Sequence, residues 1–198
     1  MHVADRIHLV GSGSYGFSLS DPYDCHIYLL DGGSELALID VGAGMGAGEV
    51  VENVRREGLD PALIRHILCT HAHGDHAGGA ARMRALLPNA SVSMSREAAD
   101  YIRVGDETGT SIGVAKTAGI YPVDYRLEPC AVEDELAEGD RVTIGDVELE
   151  CVDTPGLRID ALFPGHFAFS LRDGQRHVER AKEVLDQLLI PPQAVSAW

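Results

Sequence analysis

The sequence predicts a mixed α/β domain, and two observations carry that prediction. Short apolar runs ending in Gly/Asp/Asn turns alternate, through the first half, with longer stretches of helical spacing. The length, 198 residues with 45% hydrophobic side chains, suits one domain with a sizeable core. We therefore expect residues 1–198 to form a single domain.

His26 to Leu30 is a short apolar run, followed by Asp31-Gly32-Gly33 and then Leu36 to Val41. That pattern predicts a β-hairpin. Gly42 to Gly48 is a glycine-rich loop, and Glu49 to Arg56 predicts a helix closed by Gly58. Ile64 to Thr70 is an apolar strand that runs straight into HAHGDHAGG. Ala80 to Leu87 predicts a helix ended by Pro88-Asn89, and Ser91 to Met94 a strand. Ser95 is the expected N-cap of the next helix, with Glu97 and Asp100 near its positive end. Residues 105–130 are the least regular part of the sequence, with scattered glycines. Arg141 to Asp153 predicts a second hairpin around Gly145-Asp146, and Ile159 to Phe163 a short strand. Val178 to Leu189 predicts an amphipathic helix, with Val178, Ala181, Leu185 and Leu188 on one stripe.

The formal net charge of −15 argues against nucleic acid as a partner, because an acidic surface repels phosphate backbones. No apolar run approaches a membrane span, and the first ten residues, MHVADRIHLV, lack the apolar core of a signal peptide. We expect a cytoplasmic protein with no membrane partner and with its four cysteines reduced. Cys25, Cys69 and Cys151 each sit in or beside a strand and are expected in the core. His8, His66 and His177 stand alone and read as surface or structural residues.

The chemistry concentrates in His71-Ala72-His73-Gly74-Asp75-His76, where four metal-ligating side chains fall within six residues. Neutral imidazole and carboxylate suit zinc or another late first-row metal. Residues at i and i+2 of an extended segment share a face, so His71 and His73 can hold one ion together. The chain then turns, and Asp75 and His76 can address a second position nearby. A histidine-rich surface turn is the competing reading. It is the weaker one, because such crowding would repel or tie up protons unless something binds there.

The stretch THAHGDHAGG, Thr70 to Gly79, resembles the HxHxDH signature of the metallo-β-lactamase superfamily. LALIDVG (Leu36 to Gly42), VDTPG (Val152 to Gly156) and ALFPGH (Ala161 to His166) resemble further segments of that family, in the family's order. The resemblance implies a four-layer αβ/βα sandwich of two mixed sheets with outer helices and the metals at one edge. It assigns His71 and His73 to a first metal, and Asp75, His76 and His166 to a second. Asp40 would support the ligands from behind. It implies two divalent ions, zinc in the first instance, with iron or manganese as alternatives. The implied reaction is hydrolysis by a metal-bound hydroxide, which Asp75 would orient or deprotonate.

The resemblance is interrupted at one point. In the family, TPG is normally followed by a histidine ligand, and later by an aspartate that bridges the metals. Here Thr154-Pro155-Gly156 runs into Leu157, and the text then resembles the approach to PGH from much later in the fold. Either a segment between residues 156 and 157 is deleted, or the polypeptide is longer than this sequence. Removing central strands would leave unpaired backbone and exposed apolar faces, which favours the longer polypeptide.

Substrate identity is less legible. A small-molecule thioester, lactone or related ester fits an acidic chain of this size. Tyr101, Ile102, Ile112, Tyr121 and Tyr125 fall where relatives build a substrate wall; ordinary packing or a homodimer contact explains them equally well. Two other readings stay open: a mono-iron enzyme resembling persulfide dioxygenases, and, for a true deletion, a metal-poor binding protein.

Overall fold

The computed structural model describes residues 1–152. His166, the Gly156–Leu157 junction, the strand expected at 159–163 and the helix expected at 178–189 lie outside the described residues.

Seven strands form one mixed sheet, in the same order in space as in sequence. They are β1 (His2–Ala4), β2 (Ile7–Gly11), β3 (Ile27–Asp31), β4 (Leu36–Ile39), β5 (Ile64–Leu68), β6 (Ser91–Ser95) and β7 (Asp134–Leu136). The first four pair antiparallel, and β4 to β7 pair parallel. Two adjacent parallel strands need a crossover, and helices supply it. Between β4 and β5 lies α1 (Ala47–Arg56); between β5 and β6 lie the single turn α2 (Gly74–Ala77) and α3 (Ala80–Leu86). Between β6 and β7 lie α4 (Arg96–Val104) and α5 (Ile112–Thr117).

Local chemistry explains most of the boundaries. Asp31 Oδ1 accepts the Gly33 N–H at 2.8 Å, and Gly33 takes φ +84°, which closes the predicted β3–β4 hairpin. The Ser95 hydroxyl accepts the Ala98 N–H at 3.4 Å, so the expected N-cap starts α4. Gly105 in the left-handed conformation ends that helix.

The sheet is buried on both faces. Ile27, Leu29, Leu36, Leu38, Ile67, Val92 and Met94 share one core with Val50 and Val54 of α1, Met83 of α3, and Ala99 and Ile102 of α4. Their alternation along each strand is the period of two that a pleated strand imposes. Leu30, Ala37, Ile39, Leu68 and Leu136 belong to a second, smaller cluster. That cluster is closed by Val142, Ile144 and Leu149 from the hairpin β8 (Arg141–Ile144) and β9 (Val147–Glu150). Described residues thus supply a helical layer, the large mixed sheet and a two-stranded antiparallel sheet beyond it.

One expectation needs correction. Cys151 is half-buried rather than core, because β9 ends at Glu150 and Cys151 turns back to give its N–H to Asp140 O at 2.7 Å. The stretch 105–130, the least regular by sequence, holds one six-residue helix, α5. Cys25, Cys69 and Cys130 are buried free thiols. His8 and His66 face Glu57 and Glu35, at 3.0 and 3.2 Å. Among the described residues, no helix is long and apolar enough to cross a membrane.

Candidate metal centre

The HxHxDH residues sit just past the carboxyl end of β5, beside the end of its neighbour β4. Backbone hydrogen bonds carry the sheet pairing beyond both strand ends: Asp40 N–H to Leu68 O at 2.8 Å and Cys69 N–H to Ser93 O at 3.0 Å. The chain then leaves the sheet and is tied down from several sides. Gly74 N–H reaches Thr110 O at 3.0 Å, Val41 N–H reaches His76 O at 2.9 Å, and Gly79 N–H reaches Gly42 O at 2.8 Å. Cys25 N–H, two residues before β3, reaches Asp75 O at 3.1 Å.

This frame brings the four side chains together. His71 Nε2 lies 3.1 Å from His73 Nδ1. His76 Nε2 lies 3.5 Å from Asp75 Oδ2. The rings of His71 and His76 are 4.0 Å apart, centre to centre. Two donors on one tetrahedral ion, each at 2.0–2.1 Å, stand about 3.3 Å apart. Both pairs have that separation, and their donor types, imidazole and carboxylate, are those a zinc-class ion takes. The residues present therefore fit a divalent metal centre.

Asp40 lies beneath them, 4% exposed, with φ +62°. Its carboxylate accepts the Thr70 N–H at 2.8 Å and faces the Thr70 hydroxyl at 2.9 and 3.0 Å. His76 Nδ1 lies 2.8 Å from Asp40 Oδ2. A carboxylate only accepts, so Nδ1 carries a proton, and Nε2, on the Asp75 side, is the ring nitrogen that would address a metal. Burial alone would lower the pKa of His76, but the bond and charge of Asp40, with Asp75, reverse this and raise it. Burial, followed by the charge of His76, pushes His71 down to about 4, which keeps its ring neutral at neutral pH.

Cys25 adds a thiol near Asp40 and His76, with one ligand atom from each of the three within 4.8 Å of the others. Sequence reasoning placed Cys25 in the core and attached no such neighbours to it. Its Sγ–H donates to His26 O at 3.3 Å, and burial holds the thiol well above its usual pKa. Asp40 already serves Thr70 and the Nδ1 side of His76, so in this arrangement the trio packs behind the HxHxDH turn.

The tyrosines divide. Tyr121 and Tyr125 are 8% and 6% exposed; their rings lie 5.1 Å apart, and Tyr23 stands 5.2 Å from Tyr121. Tyr125 gives its hydroxyl proton to Ala43 O at 2.9 Å. The Tyr121 hydroxyl would lie 3.5 Å from a Cβ placed on Gly74. Tyr101 is only partly buried, and its hydroxyl is paired with Glu97 at 3.1 Å, one helical turn back. The structure thus brings Tyr121 and Tyr125, but not Tyr101, into one ring cluster beside the metal turn.

The sequence pattern of the metallo-β-lactamase superfamily matches residues 20–177. The chain belongs to the metallo-β-lactamase superfamily. A hydroxyacylglutathione hydrolase of Cereibacter sphaeroides is 30% identical over 156 residues, which is 78% of this chain and 45% of that protein. A mutant of the Cronobacter sakazakii metallo-β-lactamase superimposes with a TM-score of 0.60 at 25% identity, covering 79% of this chain and 54% of that one. A subclass B3 metallo-β-lactamase of Bradyrhizobium japonicum superimposes with a TM-score of 0.56 at 26% identity, covering 73% and 53%. The chain therefore spans about half the length of these metallo-β-lactamase relatives. The large mixed sheet with its helical layer is the architecture they share.

Proposed function

We propose that this chain is a metal-dependent hydrolase acting on a small thioester, lactone or related ester. The observation that carries the reading is the convergence of two donor pairs, His71/His73 and Asp75/His76, at separations of 3.1 and 3.5 Å. The similarity to a protein named hydroxyacylglutathione hydrolase supports a thioester.

In this reading His71 and His73 hold one ion, and Asp75 and His76, with His166, hold a second. With a zinc-class ion held there, the chemistry supplied would be Lewis acidity that lowers the pKa of water to about 7. Asp75 orients the attacking water and takes its proton on the carboxylate. His71 stays neutral, because protonation of a buried ring beside His76 is unfavourable. Asp40 keeps the His76 proton on Nδ1. His71, His73 and Asp75 are half-buried, so part of each side chain is accessible to a small molecule.

The test is a panel of thioesters and lactones, assayed with zinc-, manganese- and iron-loaded protein. We expect metal-stimulated hydrolysis, a drop of at least a hundredfold for His73→Ala, and inhibition by a chelator that added metal reverses. Full activity in His73→Ala would sink the metal mechanism. Oxygen uptake on a persulfide by the iron-loaded protein, without hydrolysis of any ester, would replace hydrolase by oxygenase.

A further inference from the structure

Thr70 precedes the histidine motif, and its hydroxyl stands between two of the groups described above. Thr70 Oγ1 lies 2.9 and 3.0 Å from the two oxygens of Asp40, and 3.0 Å from His71 Nδ1. A hydroxyl has one proton to give. Were that proton given to His71, the lone pairs of Oγ1 would face a carboxylate at hydrogen-bond distance, acceptor against acceptor. The proton must therefore go to Asp40, and Oγ1 then accepts from His71 Nδ1–H. The His71 proton is fixed on Nδ1, and the lone pair on Nε2, the atom 3.1 Å from His73 Nδ1.

We propose that Thr70 is a positioning residue that sets the tautomer of His71 for metal binding, so that one carboxylate, Asp40, orients a histidine in each donor pair. Asp40 reaches His76 directly and His71 through the Thr70 hydroxyl. The proposal rests on the reading of His71 and His73 as metal ligands. Thr70 suits a test by substitution: it is exposed, and its backbone N–H holds Asp40 at 2.8 Å whatever the side chain.

The experiment compares the wild type with Thr70→Val, which keeps the shape and loses the hydroxyl, and Thr70→Ser, which keeps the hydroxyl. Zinc affinity is read by competition with a chromogenic chelator. The ring tautomer of His71 is read in the metal-free protein from its 15N chemical shifts. In Thr70→Val we expect zinc to bind about 10–100-fold more weakly at one of two sites, and His71 to become a mixture of tautomers. Thr70→Ser should keep both wild-type readings. An unchanged tautomer and affinity in Thr70→Val would overturn the proposal, as would a Thr70→Ser protein as impaired as Thr70→Val. If Thr70→Val fails to fold, Thr70→Ala serves in its place. A wild-type protein that binds no zinc would sink the metal reading, while the tautomer comparison would still decide what Thr70 does to His71.

Discussion

At the scale of single residues, carboxylates do most of the positioning. Asp40 sits with φ +62°, a conformation that aspartate tolerates better than most side chains. Asp24 is a second buried carboxylate, 4% exposed, which accepts the Ala43 N–H at 2.8 Å, the Ser20 hydroxyl at 2.6 Å and the Asp21 N–H at 3.1 Å. It ties the loop before β3 to the loop after Asp40. Burial outweighs these bonds and pushes its pKa up from 3.8 to about 6. A raised carboxyl pKa means that the folded state binds the proton more tightly than the unfolded chain does. The Asp24 contribution to stability is thus complete below pH 3.8 and is lost as the pH rises to about 6. The loss amounts to about 3 kcal/mol at 1.36 kcal/mol per unit. Urea melts of wild type and Asp24→Asn at pH 4 and pH 7 check this. The variant should gain on the wild type between the two by a few kcal/mol; a constant difference would refute it.

At the scale of elements, the histidine-rich turn depends on a close crossing of backbones. A Cβ on Gly79 would lie 2.6 Å from Val41 O and 2.8 Å from Gly44 Cα, and a backbone cannot swing aside as a side-chain tip can. Gly79→Ala should cost about 1–3 kcal/mol in a denaturant melt and weaken zinc binding. Gly48, in α1, has nothing within 4 Å of its would-be Cβ. Gly48→Ala should stabilise by up to about 1 kcal/mol, which makes it the matched control. Elements with strong local signals were legible in the sequence: the Asp31-Gly32-Gly33 hairpin, α4 behind Ser95, and the turn at Gly145 between β8 and β9. Three lacked such signals. The β1–β2 edge is punctuated by Asp5-Arg6, β7 reads Asp-Glu-Leu, and α5 opens at Ser111 with φ +62° and no side-chain cap. Strand β7 exists because β6 offers it a free edge, and pairing partners do not show in a local window.

At the scale of the whole molecule, the sheet is covered on its second face by a hairpin that joins it through few side chains. Ile144 is fully buried against Ala37 and Leu68. Ile144→Ala should cost about 2–5 kcal/mol while leaving zinc affinity near the wild-type value, because the hairpin and the metal turn draw on different clusters. Melts and chelator competition on the same variant read both, and a joint loss would show the two regions to be coupled. What the sequence by itself determined is the mixed α/β class, most central elements, and the histidine-rich turn at the end of β5. Those follow from residue types and spacings within a few positions of one another. Only the tertiary structure decided that His76 hands its Nδ1 proton to Asp40, 36 residues earlier, that Thr70 bridges Asp40 to His71, and that Tyr125 reaches Ala43 across 82 residues. The physical reason is that spacing says which residues share a turn or a face, whereas the proton on a histidine depends on whichever group the fold carries to its other nitrogen.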